Sequence, residues 1–134
     1  MKFLGIDYGE KKVGIASSDD EGSIAFPEAV LRNDKNLNER LKEICLAKNI
    51  KALVLGESLD FKGKPNPIHK KILEFKALLE SELKIPVHLE SEFLTTRQSL
   101  NIQGPNKLID ASAAAIILQS FLDKSKKDHK NFFK

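Results

Sequence analysis

The hydrophobic pattern changes its period after residue 31, and this change limits the possible folds more than any other feature of the chain. Three short strand-like stretches come first, separated by tight turns rich in Gly and Asp. Helix-spaced apolar residues then alternate with short apolar strands. The predicted strands cover 3–6, 13–16, 24–31, 52–55 and 85–89, and the predicted helices start at 36 and 66 and cover 95–103 and 108–122. This order predicts an α/β domain, in which helices flank a mixed five-stranded sheet.

Length and composition are consistent with one globular domain. The chain has 134 residues, of which 41% are hydrophobic, enough for a modest core but not for a second domain. Its longest apolar run, Ala113–Leu118, is far shorter than the roughly 20 residues of a membrane span. The single cysteine, Cys45, excludes a disulfide within the chain and lies on the apolar stripe of a predicted helix. We therefore expect a buried Cys45 and a cytoplasmic protein.

The net charge of +3 is concentrated at the carboxyl terminus. Residues 123–134 contain five Lys and two Asp, so the preceding residues are balanced in charge. The chain is therefore expected to consist of one domain, residues 1–122, and a basic, flexible tail, residues 123–134. Such a tail either attracts polyanions or is an ordinary solvated terminus, and the sequence leaves both interpretations open.

Three carboxylates are the best candidates for chemistry, since the chain lacks phosphate-loop, nucleophile-elbow, dinucleotide-binding and zinc-spaced motifs. Asp7 ends the first strand between two glycines, Glu92 follows a later strand, and Asp110 begins an Ala-rich helix. Alone, Asp7 is also typical of a hairpin turn, and Asp110 of a residue that complements the helix dipole. Together they predict a convergent acidic site, and their hard oxygen ligands suit Mg²⁺ better than Zn²⁺.

Four motifs in the same order resemble the YqgF family of ribonuclease H-like proteins, also described as Holliday junction resolvase-like proteins or pre-16S rRNA nucleases. The resemblance covers residues 1 to about 122. The motifs are GIDYG with a following KVGIA at 5–16, GES with Gly63 at 56–63, EFLTT at 92–96, and a closing helix that includes IDASAA and ILQ at 109–119. This resemblance implies a ribonuclease H-like fold, with Asp7, Glu92 and Asp110 as catalytic residues and ligands of Mg²⁺ or Mn²⁺.

The sequence departs from the family pattern at three positions. Ser58 stands where the family has proline, Ser91 where it has an acidic residue, and Phe93 where it has arginine. The loss of that arginine removes a bidentate phosphate contact, for which Arg97 is a possible substitute. The residues expected to contact the nucleic-acid backbone are Lys11, Lys12, Lys62, Lys64 and Arg97.

The resemblance therefore implies a metal-dependent endonuclease that processes the 5′ end of pre-16S rRNA, with ribosomal particles among its partners. One alternative is a resolvase of four-way DNA junctions, which needs a homodimer to cut two strands symmetrically, whereas a monomer suffices for RNA. Another is a noncatalytic nucleic-acid-binding module. A small ATP-dependent kinase of the actin-like superfamily shares the strand–Asp–Gly start but needs two such domains, which 134 residues cannot supply.

Overall fold

A computed structural model describes residues 1–57, 67–91 and 109–132, with side chains for 1–56, 70–90 and 113–124. Its strands are β1 (Phe3–Tyr8), β2 (Lys12–Ser18), β3 (Ala25–Arg32), β4 (Ala52–Glu57) and β5 (Val87–Ser91). Its helices are α1 (Leu37–Ala47), α2 (Pro67–Leu83) and α3 (Ile109–Phe132). These elements confirm the predicted α/β fold, and the helix predicted at 95–103 lies outside the described residues.

The five strands form one mixed sheet in the order β3-β2-β1-β4-β5. Strands β1, β2 and β3 are antiparallel neighbours, as expected of strands joined by tight turns. Strands β4 and β5 are added parallel to β1. Because parallel strands run in one direction, β1, β4 and β5 all end at the same edge of the sheet, which we call the carboxyl edge.

Strand β3 lies at the border of the sheet and contains a bulge. The pairing shifts between Ile15 and Ala16, which pair with Ala29 and Pro27, so Glu28 has no partner on β2. A proline cannot donate to a sheet ladder, and its presence predicts an edge strand or a bulge. Both features are confirmed here.

Helices cover the two faces of the sheet. On one face, α1 and α2 bury Leu41, Ile72 and Leu79 against Leu4 and Ile6 of β1 and their neighbours. On the other face, α3 forms a separate core, whose buried members are Ala16, Val54, Ala114, Ile117, Leu118 and Leu122. We call this second surface the α3 face. Since side chains alternate along a strand, β1, β2, β3 and β4 each contribute to both cores.

Two helix ends differ from the prediction. Asn36 and Glu39 suggest a capping box, but the Asn36 side chain makes no capping hydrogen bond. Asp34 takes this role instead, because its Oδ1 accepts from the Asn36 amide at 2.9 Å and its carbonyl from the Leu37 amide at 3.1 Å. Helix α3 continues past its predicted end at Leu122 to Phe132, through a Lys-rich segment without Gly or Pro. None of the described helices is long and apolar enough to cross a membrane.

Candidate active site

Asp7 lies within strand β1 at the carboxyl edge and faces the α3 side of the sheet. It pairs with Gly14 of β2, so the alternative interpretation of Asp7 as a turn-forming residue is wrong. Its neighbour Ile6 points into the opposite core, where its side chain is fully buried. Side chains alternate between the faces, so Gly5 and Asp7 project together toward α3. Asp7 itself is half-buried.

The two glycines around Asp7 allow close packing within the protein. A Cβ atom on Gly5 would lie 2.7 Å from the Leu118 Cβ and 2.9 Å from the Ala114 carbonyl of α3. A Cβ atom on Gly9 would lie 2.6 Å from the carbonyl oxygen of Lys12. Helix α3 and the β1–β2 turn therefore fill the space next to these glycines.

The packing of β1 on α3 brings the first turn of α3 toward Asp7. Phe3 lies beside Phe121, with ring centroids 5.7 Å apart, and Gly5 contacts Ala114 and Leu118. Strand and helix therefore run in opposite directions. The two residues from Gly5 to Asp7 advance about 6.6 Å along β1. The same distance along α3 takes roughly four residues, counted from Ala114 toward the start of the helix. Asp7 is thus level with the start of α3, where the backbone of Asp110 lies.

Strand β5 also ends at the carboxyl edge, so the chain leaves the sheet there. It pairs with β4 through Gly56–Glu90 and Glu57–Ser91, and Ser91 is its last residue. Glu92, the next residue in the chain, lies outside the described residues, as does the side chain of Asp110. Within the described side chains, no group of three or more His, Cys, Asp or Glu could hold a metal ion. The predicted acidic set therefore remains a prediction.

A buried glutamate in an ion pair with an exposed lysine, which the sequence did not suggest, lies two residues before Glu92. Glu90 is only 5% exposed, and its Oε1 accepts from the Lys124 Nζ of α3 at 2.6 Å. In the described part of the structure, its Oε2 is buried without a hydrogen-bond partner. The rings of His88 and Phe121 are stacked, with their centroids 5.0 Å apart. His88, and with it Glu90 two residues later, therefore projects from β5 toward the α3 face. The burial of Glu90 follows from the packing of α3 on the sheet, which brings Lys124 to its carboxylate.

The chemistry of these groups fits a hard divalent cation. Continuing the β1–β4–β5 register places Asp7 and Glu90 on one face and at one level, about 10 Å apart across Gly56. Both supply carboxylate oxygens, the ligands that Mg²⁺ and Mn²⁺ prefer. Glu90 already pairs with Lys124 through Oε1, so among the described residues only its Oε2 lacks the donor or cation that a buried oxygen requires. The described residues are thus compatible with the predicted Mg²⁺ or Mn²⁺.

Two of the five predicted nucleic-acid-binding residues are described. Lys11 and Lys12 are exposed at the β1–β2 turn, where Asn33 holds the end of β3 against the turn. The Asn33 Nδ2 donates to the Gly9 carbonyl at 2.7 Å, and its amide donates to the Lys11 carbonyl at 2.9 Å. These lysines therefore lie beside the end of β1 that carries Asp7. The other three, Lys62, Lys64 and Arg97, lie outside the described residues.

Comparison with known proteins identifies similar sequences over almost the whole chain. The model of a family described as "RuvX: Holliday junction resolvase" matches residues 1–124. A "Putative pre-16S rRNA nuclease" of Lawsonia intracellularis is 34% identical, covering 96% of this chain and 97% of the relative. A protein of the same name from Dictyoglomus thermophilum is 35% identical, covering 96% and 99%.

Solved structures with low sequence identity share the fold. The structure of Thermus thermophilus RuvC in complex with a Holliday junction substrate matches with a TM-score of 0.63 and 17% identity, over 94% of this chain and 96% of that chain. The fowlpox virus resolvase, solved with Holliday junction DNA, matches with a TM-score of 0.59 and 17% identity, over 93% and 99%. Both confirm the predicted ribonuclease H-like architecture.

Proposed function

Because the chain belongs to the RuvX family, a family of nucleases, we propose that it is a metal-dependent endonuclease that processes the 5′ end of pre-16S rRNA. The observation that carries this proposal is the packing of β1 on α3, which brings the backbone of Asp110 level with Asp7. The names of the full-length relatives support rRNA as the substrate. Such an enzyme works in the cytoplasm, on free precursor RNA or on ribosomal particles.

The proposed mechanism assigns separate roles to acidic and basic residues. Asp7, Glu92 and Asp110 would hold Mg²⁺ or Mn²⁺. When bound, such an ion activates a water molecule and stabilises the departing oxygen of a phosphodiester. The pairing of Asp7 with Gly14 fixes the backbone from which this carboxylate projects, which would favour an ordered site before substrate binds. Lys11, Lys12, Lys62, Lys64 and Arg97 would contact phosphates and orient the strand without reading its bases.

A second candidate is a resolvase of four-way DNA junctions, which the description of the family model favours. The same carboxylates would serve, because both reactions hydrolyse a phosphodiester. The two candidates differ in substrate and in assembly, since symmetric cutting of a junction requires a dimer. A protein that is monomeric at the concentration of the assay contradicts the resolvase.

Substitution of Asp7 tests the proposed function. Wild-type protein, Asp7→Asn and Asp20→Asn are each incubated with labelled 16S precursor leader RNA and with a four-way DNA junction, in Mg²⁺ or Mn²⁺. Asp20 is the matched control, because its side chain is 95% exposed at the turn between β2 and β3. We expect Asp7→Asn to reduce RNA cleavage at least ~100-fold, as the loss of a metal-binding charge should, while Asp20→Asn cleaves normally.

The outcomes separate the candidates. Cleavage of the junction alone establishes the resolvase in place of the rRNA nuclease. Cleavage of neither substrate by the folded wild-type protein, together with no Mn²⁺ binding by calorimetry, favours the noncatalytic binding module. Cleavage of RNA that persists in EDTA contradicts metal dependence.

A further inference from the structure

A basic cleft lies between the β1–β2 turn and the end of β3. Its volume is about 490 Å³. We call it the β2–β3 cleft, and it is lined by Glu10, Lys11, Lys12, Val30, Leu31, Arg32 and Asn33. Three of these side chains are cationic and one is anionic, so the cleft has an excess of positive charge.

Two of the cations face each other across adjacent strands. Lys12 of β2 pairs directly with Arg32 of β3, and both side chains are exposed. Like charges opposite one another in an antiparallel sheet destabilise it. Among the described residues neither side chain has an acidic partner, whereas Arg40 pairs with Asp34 at 3.4 Å and Lys48 with Glu28 at 3.2 Å. An anion bound between Lys12 and Arg32 would remove the repulsion.

The cationic pair projects from the same face of the sheet as Asp7. Gly14 pairs with Asp7, and Lys12 lies two residues from Gly14, so Lys12 projects to the α3 face. Arg32 shares that face because it is the direct partner of Lys12. From the strand spacings, the Cα atoms of Asp7 and Arg32 lie about 12 Å apart. This separation fits a phosphate that neighbours the one at Asp7, rather than the same phosphate.

We propose that Lys12 and Arg32 form a phosphate-binding site in the β2–β3 cleft, which holds a phosphate of the nucleic-acid strand adjacent to the one cleaved at Asp7. The proposal deepens the proposed function and rests on it for the identity of the ligand. Arg32 presents a planar fork of donors that binds two phosphate oxygens, and Lys12 adds a point charge. Both contact the backbone, so they fix the position of the strand without selecting its sequence.

The test compares Arg32→Gln with Arg40→Gln. Both variants lose one positive charge, but Arg40 lies outside the cleft and already has an acidic partner. The fluorescence anisotropy of labelled 16S precursor leader RNA is measured in EDTA, where cleavage is blocked, over a range of salt concentrations. We expect Arg32→Gln to raise the Kd about 10-fold and to reduce the salt slope by about 0.7–0.9. Arg40→Gln should change the Kd less than about 2-fold.

Two further readouts separate phosphate binding from a structural role. Arg32→Gln relieves the repulsion with Lys12, so its Tm should equal or exceed that of the wild type. In cleavage assays it should raise KM more than it lowers kcat, because the contact is made before the chemical step. Arg32→Lys, which keeps the charge but not the fork, should recover part of the affinity.

The experiment gives different results if the proposed phosphate site is wrong and if the proposed nuclease activity is wrong. RNA affinity of Arg32→Gln equal to that of the wild type, or a lowered Tm, overturns the phosphate site even if the wild type cleaves RNA. An Arg32-dependent affinity in a wild-type protein that cleaves no substrate supports the phosphate site and contradicts the nuclease.

Discussion

Cys45 shows that the apolar stripe of α1 determines the chemistry of a single residue. Its side chain is 7% exposed within the core between α1 and the sheet, which confirms the predicted core position. Burial raises the pKa of its thiol to about 11. The thiolate is the reactive form, so Cys45 is a poor nucleophile near neutral pH.

We expect alkylation of Cys45 by iodoacetamide to be at least ~100-fold slower in the folded protein than in urea at pH 8, because the pKa is raised from 9.0 to about 11. The rate should rise about tenfold per pH unit until the pH approaches that pKa. Since the folded-state pKa exceeds the unfolded value, stability is retained below pH 9 and decreases as the pH rises toward 11. Mass spectrometry of quenched samples measures the rate. Equal rates in folded and unfolded protein would show that Cys45 is accessible.

Sequence neighbours predict where a residue lies in an element, whereas contacts with distant residues cannot be read from them. The apolar run at 3–6 places Asp7 at the end of the first strand, and the helix period places Cys45 in the core. Glu90 and Arg32 carry no such signal. Their roles come from Lys124 and Lys12, which reach them only after the helix packs on the sheet and the strands pair.

At the scale of elements, the contact between β1 and α3 positions the candidate site. It depends on Gly5, where even a methyl group would clash with the Ala114 carbonyl, which belongs to the helix backbone and cannot rotate away. Gln119 fixes the same helix to the start of β3, since its Oε1 accepts from the Ala25 amide at 2.9 Å and its Nε2 donates to the Ser23 carbonyl at 3.0 Å. These hydrogen bonds add to the apolar packing that already holds α3 on β1, β2 and β4.

Gly5→Ala should lower the free energy of unfolding by about 1–3 kcal/mol, because the added methyl group overpacks the interface between β1 and α3. Urea denaturation monitored by circular dichroism measures this loss. If α3 shifts to relieve the clash, RNA cleavage should fall even under conditions in which the variant is fully folded. An unchanged urea midpoint would mean that the helix adjusts without cost.

The strands were easier to predict than the ends of the helices. Short apolar runs and tight turns determine the meander of β1, β2 and β3, and Pro27 indicates its border. The end of α3 was predicted at Leu122 because the apolar pattern stops there, but the backbone continues as a helix to Phe132. A polar Lys-rich segment has good helix propensity, so loss of the apolar pattern marks the end of packing and not of the helix.

For the whole molecule, the positive net charge lies in residues 123–134, whereas residues 1–122 are balanced in charge. This distribution leads to a prediction about RNA binding. Deletion of residues 125–134 removes four Lys and one Asp and lowers the formal net charge from +3 to zero. The deletion starts after Lys124 because that side chain is the partner of the buried Glu90. We expect weaker RNA binding and a shallower salt dependence, with unchanged Mn²⁺ binding.

Anisotropy titrations at several salt concentrations and calorimetry with Mn²⁺ measure these effects. The matched control replaces two exposed lysines on α2, Lys70 and Lys71, by Gln. If the shortened protein keeps the salt slope of the full chain, residues 125–134 form an ordinary solvated terminus.

Helix α3 follows all five described strands in the sequence, and this order has a consequence for synthesis on the ribosome. The five strands emerge first, and among the described residues the helical side chains that bury Ala16 and Val54 on the α3 face belong to α3, which follows them. An incomplete chain therefore exposes one apolar surface and lacks Asp110. In the proposed enzyme, cleavage would then begin only after translation of α3, so a nascent chain without α3 could not damage the RNA of the ribosome that makes it.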